Sequence, residues 1–112
     1  MSEHISKAIQ ENLLVLLCYD DGNAPIIRNT VGTEHFESTY REIARRVYGF
    51  YDTYKEPPRD HVADLFEDKL ESENRRERLH FKHTIFALHE NKDDVNAKYA
   101  MDKLRGFVRR QT

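Results

Sequence analysis

The sequence predicts an all-α fold, a small globular bundle of about six helices ending in an antiparallel helical hairpin. Three observations predict it. Apolar residues recur at spacings of three and four along most of the chain. The few glycines and prolines collect where that spacing is interrupted, at Asp20-Asp21-Gly22-Asn23-Ala24-Pro25, Gly32-Thr33 and Glu56-Pro57-Pro58. The 112 residues are one domain's worth of chain, with room for a single core.

Residues 3–18 carry Ile5, Ala8, Ile9, Leu13, Leu16 and Leu17 on one helical stripe, and Leu14 and Val15 widen it, so this helix is expected to be buried on most sides. A short helix at 25–31 has Pro25 in its first turn, where a missing N–H costs nothing. Residues 34–54 form the clearest stripe, with Phe36, Tyr40, Ile43, Val47, Phe50, Tyr51 and Tyr54 on one side. Glu37, Glu42, Arg45, Arg46 and Asp52 lie opposite, and Thr33 is a candidate cap. Pro57-Pro58 ends that helix and opens another at 58–71, with Val62, Leu65, Phe66 and Leu70 on one face.

A charged turn, 71–76, leads to helices at 77–90 and 94–110, which a short polar connection should pair as a hairpin. The first has Phe81, Ile85 and Leu88 on one face and Leu79 and Phe86 nearly opposite. The second has Ala97, Ala100, Met101, Leu104, Phe107 and Val108 together, with Val95 and Tyr99 to the side. The chain thus reads as a globular subdomain, 1–76, and a hairpin, 77–112, within one domain. A helix with two apolar faces has two surfaces to pack against, and one of them is a candidate contact with a second chain.

Composition bounds the chemistry. Apolar residues are 38% and charged residues 34%, with 18 basic and 20 acidic side chains and a formal net charge of −2. A near-neutral balance argues against a dedicated nucleic-acid binder. Cys18 is the lone cysteine, so no internal disulfide forms. With no basic n-region at the start, this points to a reducing cytoplasm. The longest apolar run, Leu13 to Cys18, is far too short to span a bilayer.

No catalytic pattern is present. The glycines are scattered, and neither a Gly-Lys-Ser/Thr phosphate loop, a Gly-x-Ser-x-Gly elbow nor a Cys-x-x-Cys pair occurs. His80 and His83 have metal-ligand spacing with His89 beyond them, but Arg76, Arg78 and Lys82 would repel a cation, so they read as surface histidines. Cys18 reads as a small buried residue rather than a nucleophile. Glu67 with Glu71 and Asp93-Asp94 read as solvated faces, the latter pair also as helix N-terminal charge that Arg105, Arg109 and Arg110 balance at the far end. Arg75, Arg76, Arg78 and Lys82 form the one candidate anion patch, and their neighbour Phe81 reads as core rather than as a base-stacking platform.

The order of these features resembles a family. An apolar helix, Glu11-Asn12-Leu13-Leu14-Val15-Leu16-Leu17, is followed by a Glu-x-Phe step at Glu34-His35-Phe36 and a helix ending in tyrosines, Tyr40 to Tyr54. A proline turn, the helix from Pro58 to Leu70, and a last helix running from Asn96-Ala97-Lys98-Tyr99-Ala100 to Val108-Arg109-Arg110 complete it. The pattern is similar to the N-terminal domain of DnaB-type replicative DNA helicases, in the compact form of T-even and related bacteriophages. That resemblance implies a non-catalytic collar domain that self-associates into dimers or a ring collar and engages primase and, in some systems, a helicase loader. ATP and magnesium would then belong to a separate ATPase domain, and no cofactor is expected in this chain. It also implies an oligomer interface on the hairpin, with Leu79, Phe81, Ile85, Phe86, Leu88, Tyr99 and Met101 as candidates. The competing readings are a stand-alone phage regulator that binds a helicase and, more weakly, a helical nucleic-acid-binding domain.

Overall fold

The computed structural model describes residues 5–111, which form six α-helices and two 3-10 segments, with no strand among them. Helix α1 (Lys7–Tyr19) is capped by Ser6, whose Oγ accepts the Ile9 N–H at 3.3 Å. Every residue from Leu13 to Cys18 is buried. A helix apolar all round has to be surrounded, and α1 is: α2 (Ala24–Thr30), α3 (Ser38–Tyr54), α5 (Arg75–Glu90) and α6 (Ala97–Gln111) all pack on it. The turn into α2 is built by Asp20, whose carboxylate accepts the Gly22 N–H at 2.9 Å and the Asn23 N–H at 3.1 Å. Pro25 falls in the first turn of α2 as expected.

The expected helix at 34–54 is broken near its start. Thr33–His35 is a 3-10 turn, Phe36 and Glu37 are extended, and α3 begins at Ser38; the Thr33 hydroxyl caps nothing. The cause is a residue that the apolar pattern does not mark. Gln10 is fully buried; its side-chain amide donates to the Ile5 carbonyl at 2.7 Å and its Oε1 accepts the Glu37 N–H at 2.8 Å. Arg41 holds the carbonyls of Phe36 at 3.0 Å and Glu34 at 3.4 Å. With these groups satisfied outside a helical ladder, the chain steps inward and delivers Phe36 to the core, where it is fully buried. The buried face of α3 is therefore Ile43, Ala44, Val47 and Tyr48. It is rotated from the predicted stripe, and it leaves Tyr54 exposed.

Residues 58–71 also differ from one continuous α-helix. Arg59–Phe66 is 3-10 and only Glu67–Leu70 (α4) is α-helical. Lys55 and Arg59, on either side of the buried Pro57-Pro58 pair, both adopt left-handed backbone, φ 60° and 52°. At the change of helix type, Arg46 donates to the Leu65 carbonyl at 2.8 Å, grips Asp68 at 2.6 and 3.1 Å, bonds Glu42 at 2.7 Å, and lies 5.0 Å above the Phe66 ring. Val62 and Phe66 are buried and Leu65 and Leu70 pack at the edge of the core.

The last two helices correct the expected hairpin. Asn74 caps α5, its side chain accepting the Glu77 N–H at 3.1 Å, and Asn96 accepts the Tyr99 N–H at 2.9 Å ahead of α6. Asp93 and Asp94 lie in the preceding turn, outside the first turn of α6. The two helices do not pack along each other. Helix α5 lies on α4, the 3-10 segment and α1, whereas α6 lies chiefly on α1. The connection, 91–96, is long enough to let α6 bury Ala100, Met101, Leu104 and Phe107 in the shared core instead of on α5. Residues 77–111 therefore belong to the same core as the residues before them, and the Cα radius of gyration of 13.6 Å matches a single compact unit of this length.

Two outcomes follow from these contacts. Replacing Gln10 by Leu orphans the Glu37 N–H and the Ile5 carbonyl, and should lower the urea-unfolding free energy by about 1–3 kcal/mol despite the added apolar volume. The hydrogen bond from Arg46, with its charge, holds the Asp68 carboxyl at about 2, below the usual carboxylate range. A carboxyl depressed in the folded state stabilises above its unfolded value, near 4, and that contribution fades as pH falls through about 2. In Asp68→Asn the loss of melting temperature between about pH 4 and about pH 2 should be shallower than in wild type.

Candidate interaction surface

The predicted interface residues separate into two groups. Phe81, Ile85, Leu88 and Met101 are buried in the monomer core; this corrects the expectation of an exposed interface for Phe81 and Leu88, whereas Ile85 and Met101 also line surface grooves. Leu79 is half-buried. Phe86 and Tyr99 point outward, 61% and 52% exposed. The sequence presented two apolar faces on α5 without ranking them. The rank comes from Phe81, which stacks on Phe66 with ring centroids 5.8 Å apart and turns Phe86 out.

Beside Phe86 is a cleft of about 290 Å³, walled by Val62, Ala63, Leu70 and Ile85. Its polar end joins three elements. His89 Nδ1 is 3.3 Å from the Tyr19 hydroxyl and 3.3 Å from Asp60 Oδ1. A neutral ring satisfies one of these at a time, either accepting from the phenol or donating to the carboxylate. Burial, with the neighbouring Cys18 and Asp60, pushes the Tyr19 phenol up to about 12, so it remains a donor at neutral pH. The Cys18 thiol is fully buried and pushed up to about 12 by that burial, which makes it an inert core group rather than a nucleophile. His80 and His83 stand exposed on α5, and no group of three His, Cys, Asp or Glu residues among the described residues is placed to hold a metal.

Two further large apolar side chains lie outside the core. Ile26 is 47% exposed, on a groove of about 300 Å³ between α2 and α6 floored by Met101, Leu104 and Val108. Tyr54 is 63% exposed and packs on Phe50 with centroids 4.6 Å apart. Nearby, Arg28 forms a two-point pair with Asp52 at 2.9 and 2.8 Å and lies 4.7 Å over the Tyr48 ring, while the buried Tyr48 hydroxyl donates to the Val31 carbonyl at 2.7 Å. This network fixes α2 against α3 and so sets Ile26 and Tyr54 on a rigid base.

The predicted anion patch is only partly assembled. Arg75, Arg76 and Lys82 are exposed, but Arg78 donates to the Ser72 carbonyl at 2.7 Å and serves the turn before α5. Glu77 in the same stretch pairs with Lys69 at 3.6 Å. No described helix is long and apolar enough to cross a membrane.

The division between core and surface is measurable. Leu88→Asp places a carboxylate in the core and should abolish cooperative folding, whereas Phe86→Ser should leave the melting temperature within a few degrees of wild type. Circular-dichroism melts of the two variants give the comparison.

No protein-family model matches this chain, and no curated protein or solved structure is significantly similar to it.

Proposed function

We propose that this chain is a non-catalytic docking domain, the N-terminal collar domain of a DnaB-type replicative helicase, which works by binding other protein surfaces. The observation that carries the reading is the set of four large apolar side chains left outside a complete core: Ile26, Tyr54, Phe86 and Tyr99. The buried residues form a continuous core that includes none of the four. Exposed aromatic and aliphatic anchors on a rigid helical base are the usual energetic centres of protein interfaces. The order of motifs along the chain, from the apolar first helix through the Glu34-His35-Phe36 step to the last helix, supports the helicase family as the setting.

In this reading the exposed sides of α2 and α3, with Ile26 on the first and Tyr54 on the second, are the surface for primase. Titration calorimetry of the chain against the primase of the same source tests it. Ile26→Asp and Tyr54→Asp should each weaken binding at least about tenfold while helicity is unchanged. No binding by the wild-type chain, or binding indifferent to both substitutions, would overturn the assignment of this face. Sequencing the gene beyond codon 112 tests the setting: a Gly-Lys-Ser/Thr loop downstream supports a helicase, and its absence favours a stand-alone regulator.

A further inference from the structure

Helix α6 holds five lysines and arginines against one carboxylate, Asp102, which accepts from Arg105 at 2.7 Å. It packs chiefly on α1, and a groove runs along each of its flanks. The groove against α2, of about 300 Å³, has Arg105 and Arg109 as its charged lining. The groove against the start of α1, of about 250 Å³, has Lys103 and Arg110. Neither lining holds a carboxylate. The Phe86 cleft is different, because Asp60 and Lys82 both line it and it favours neither sign.

The α2 groove joins that charge to an apolar floor. Met101, Leu104 and Val108 form the floor, Ile26 stands on the α2 wall, and Thr30 is the one uncharged polar residue in the lining. Floor residues at i, i+3 and i+7 run along about 10 Å of α6, which is two turns at the helical rise. Phosphates would satisfy the two arginines but would leave the apolar floor without a partner. A helix with an apolar stripe and carboxylates at its edge matches floor and rim together, because apolar anchors fill a groove between helices and arginine forks accept carboxylates. Arg105 is exposed, and its pair with Asp102 is a surface pair three residues apart, weak enough to be shared with an incoming carboxylate.

We propose that the groove between α2 and α6 binds an acidic, amphipathic helical segment of a partner protein, its apolar side chains on Met101, Leu104 and Val108 and its carboxylates on Arg105 and Arg109. The occupant is argued from charge complementarity, since both charged groups of the lining are cations and the rest of α6 adds more of the same sign. That field also steers an acidic segment toward the groove before contact. The inference rests on the reading above that the chain works by protein contact, though not on primase being the partner.

Selection of displayed random peptides of about 16 residues, long enough for about four helical turns, against the whole chain tests it. Cys18 is the lone thiol and is buried, so a fluorophore attached to Thr30→Cys reports from the groove wall. Enriched peptides should combine Asp or Glu with large apolar residues at helical spacing, and should shift the fluorophore's emission. Changing their apolar residues to serine should abolish binding. They should bind Arg105→Glu with Arg109→Glu at least about tenfold more weakly than wild type, with circular dichroism verifying that this variant folds. Binding should also weaken several-fold between about 50 mM and about 500 mM salt, because screening shortens the reach of the charges. Enrichment of neutral or basic peptides, or of none, overturns the inference. Acidic peptides that bind the double variant as tightly as wild type, or leave the fluorophore unmoved, overturn it as well. A DNA oligonucleotide that displaces the peptides at about 50 mM salt would make the groove a nucleic-acid site, and self-association abolished by the same two substitutions would make a second copy the occupant; either result overturns the acidic partner. Tyr54→Asp should leave peptide binding unchanged, so failure of the primase contact and failure of this groove are read separately.

Discussion

The burial of α1 on all sides is the constraint on which the rest of this structure depends. Six consecutive buried residues, Leu13 to Cys18, give a helix no solvent face over most of two turns. Each of the other long helices then needs only one apolar stripe, because each has α1 to place it on. This explains why a chain with 34% charged residues still forms a continuous core. It also explains why α5 and α6 separate. Two amphipathic helices joined by a short linker can bury their stripes on each other, but a central helix apolar all round offers both of them more area.

A helix in that position needs its neighbours fixed in direction as well as attracted. Polar groups do this at three places. Gln10 ties α1 to the start of α3 through the Glu37 N–H, Tyr48 ties α3 to the end of α2 through the Val31 carbonyl, and Arg46 ties α3 to the junction of the 3-10 segment and α4. Each gives a partner to a backbone group that the regular helical ladder leaves unpaired at an element boundary. The apolar core is indifferent to small rotations, and these bonds are not. Together they set the rotation of α3 and hence the outward position of Tyr54.

The same division shapes the surface. Electrostatic pairing within the molecule is mostly local or between adjacent elements, as in Arg28 with Asp52, Arg59 with Asp21 and Arg105 with Asp102. Such exposed pairs contribute little to stability, because water and salt screen them. Along the chain the charges are segregated, with carboxylates concentrated at 52–73 and cations along α6. Segregation of this kind does little for folding and much for orientation of an encounter.

The helical class, the number of helices, the central burial of α1 and the breaks at Asp20–Pro25 and Pro57-Pro58 were legible in the sequence, because periodicity and turn chemistry are local properties. The start of α3 was not. A glutamine inside an apolar helix gives no local sign that its amide will meet residue 37 and stop a helix there. The two apolar faces of α5 were visible as a pattern, but which one faces inward was decided by Phe66 stacking on Phe81, a contact between separate elements. The hairpin failed for the same reason, since linker length limits where α6 can go and competing burial selects among those places. The sequence by itself determined what each segment must bury. Only the tertiary structure decided against what, and so which of the aromatic residues, Phe86 and Tyr99 among them, were left outside.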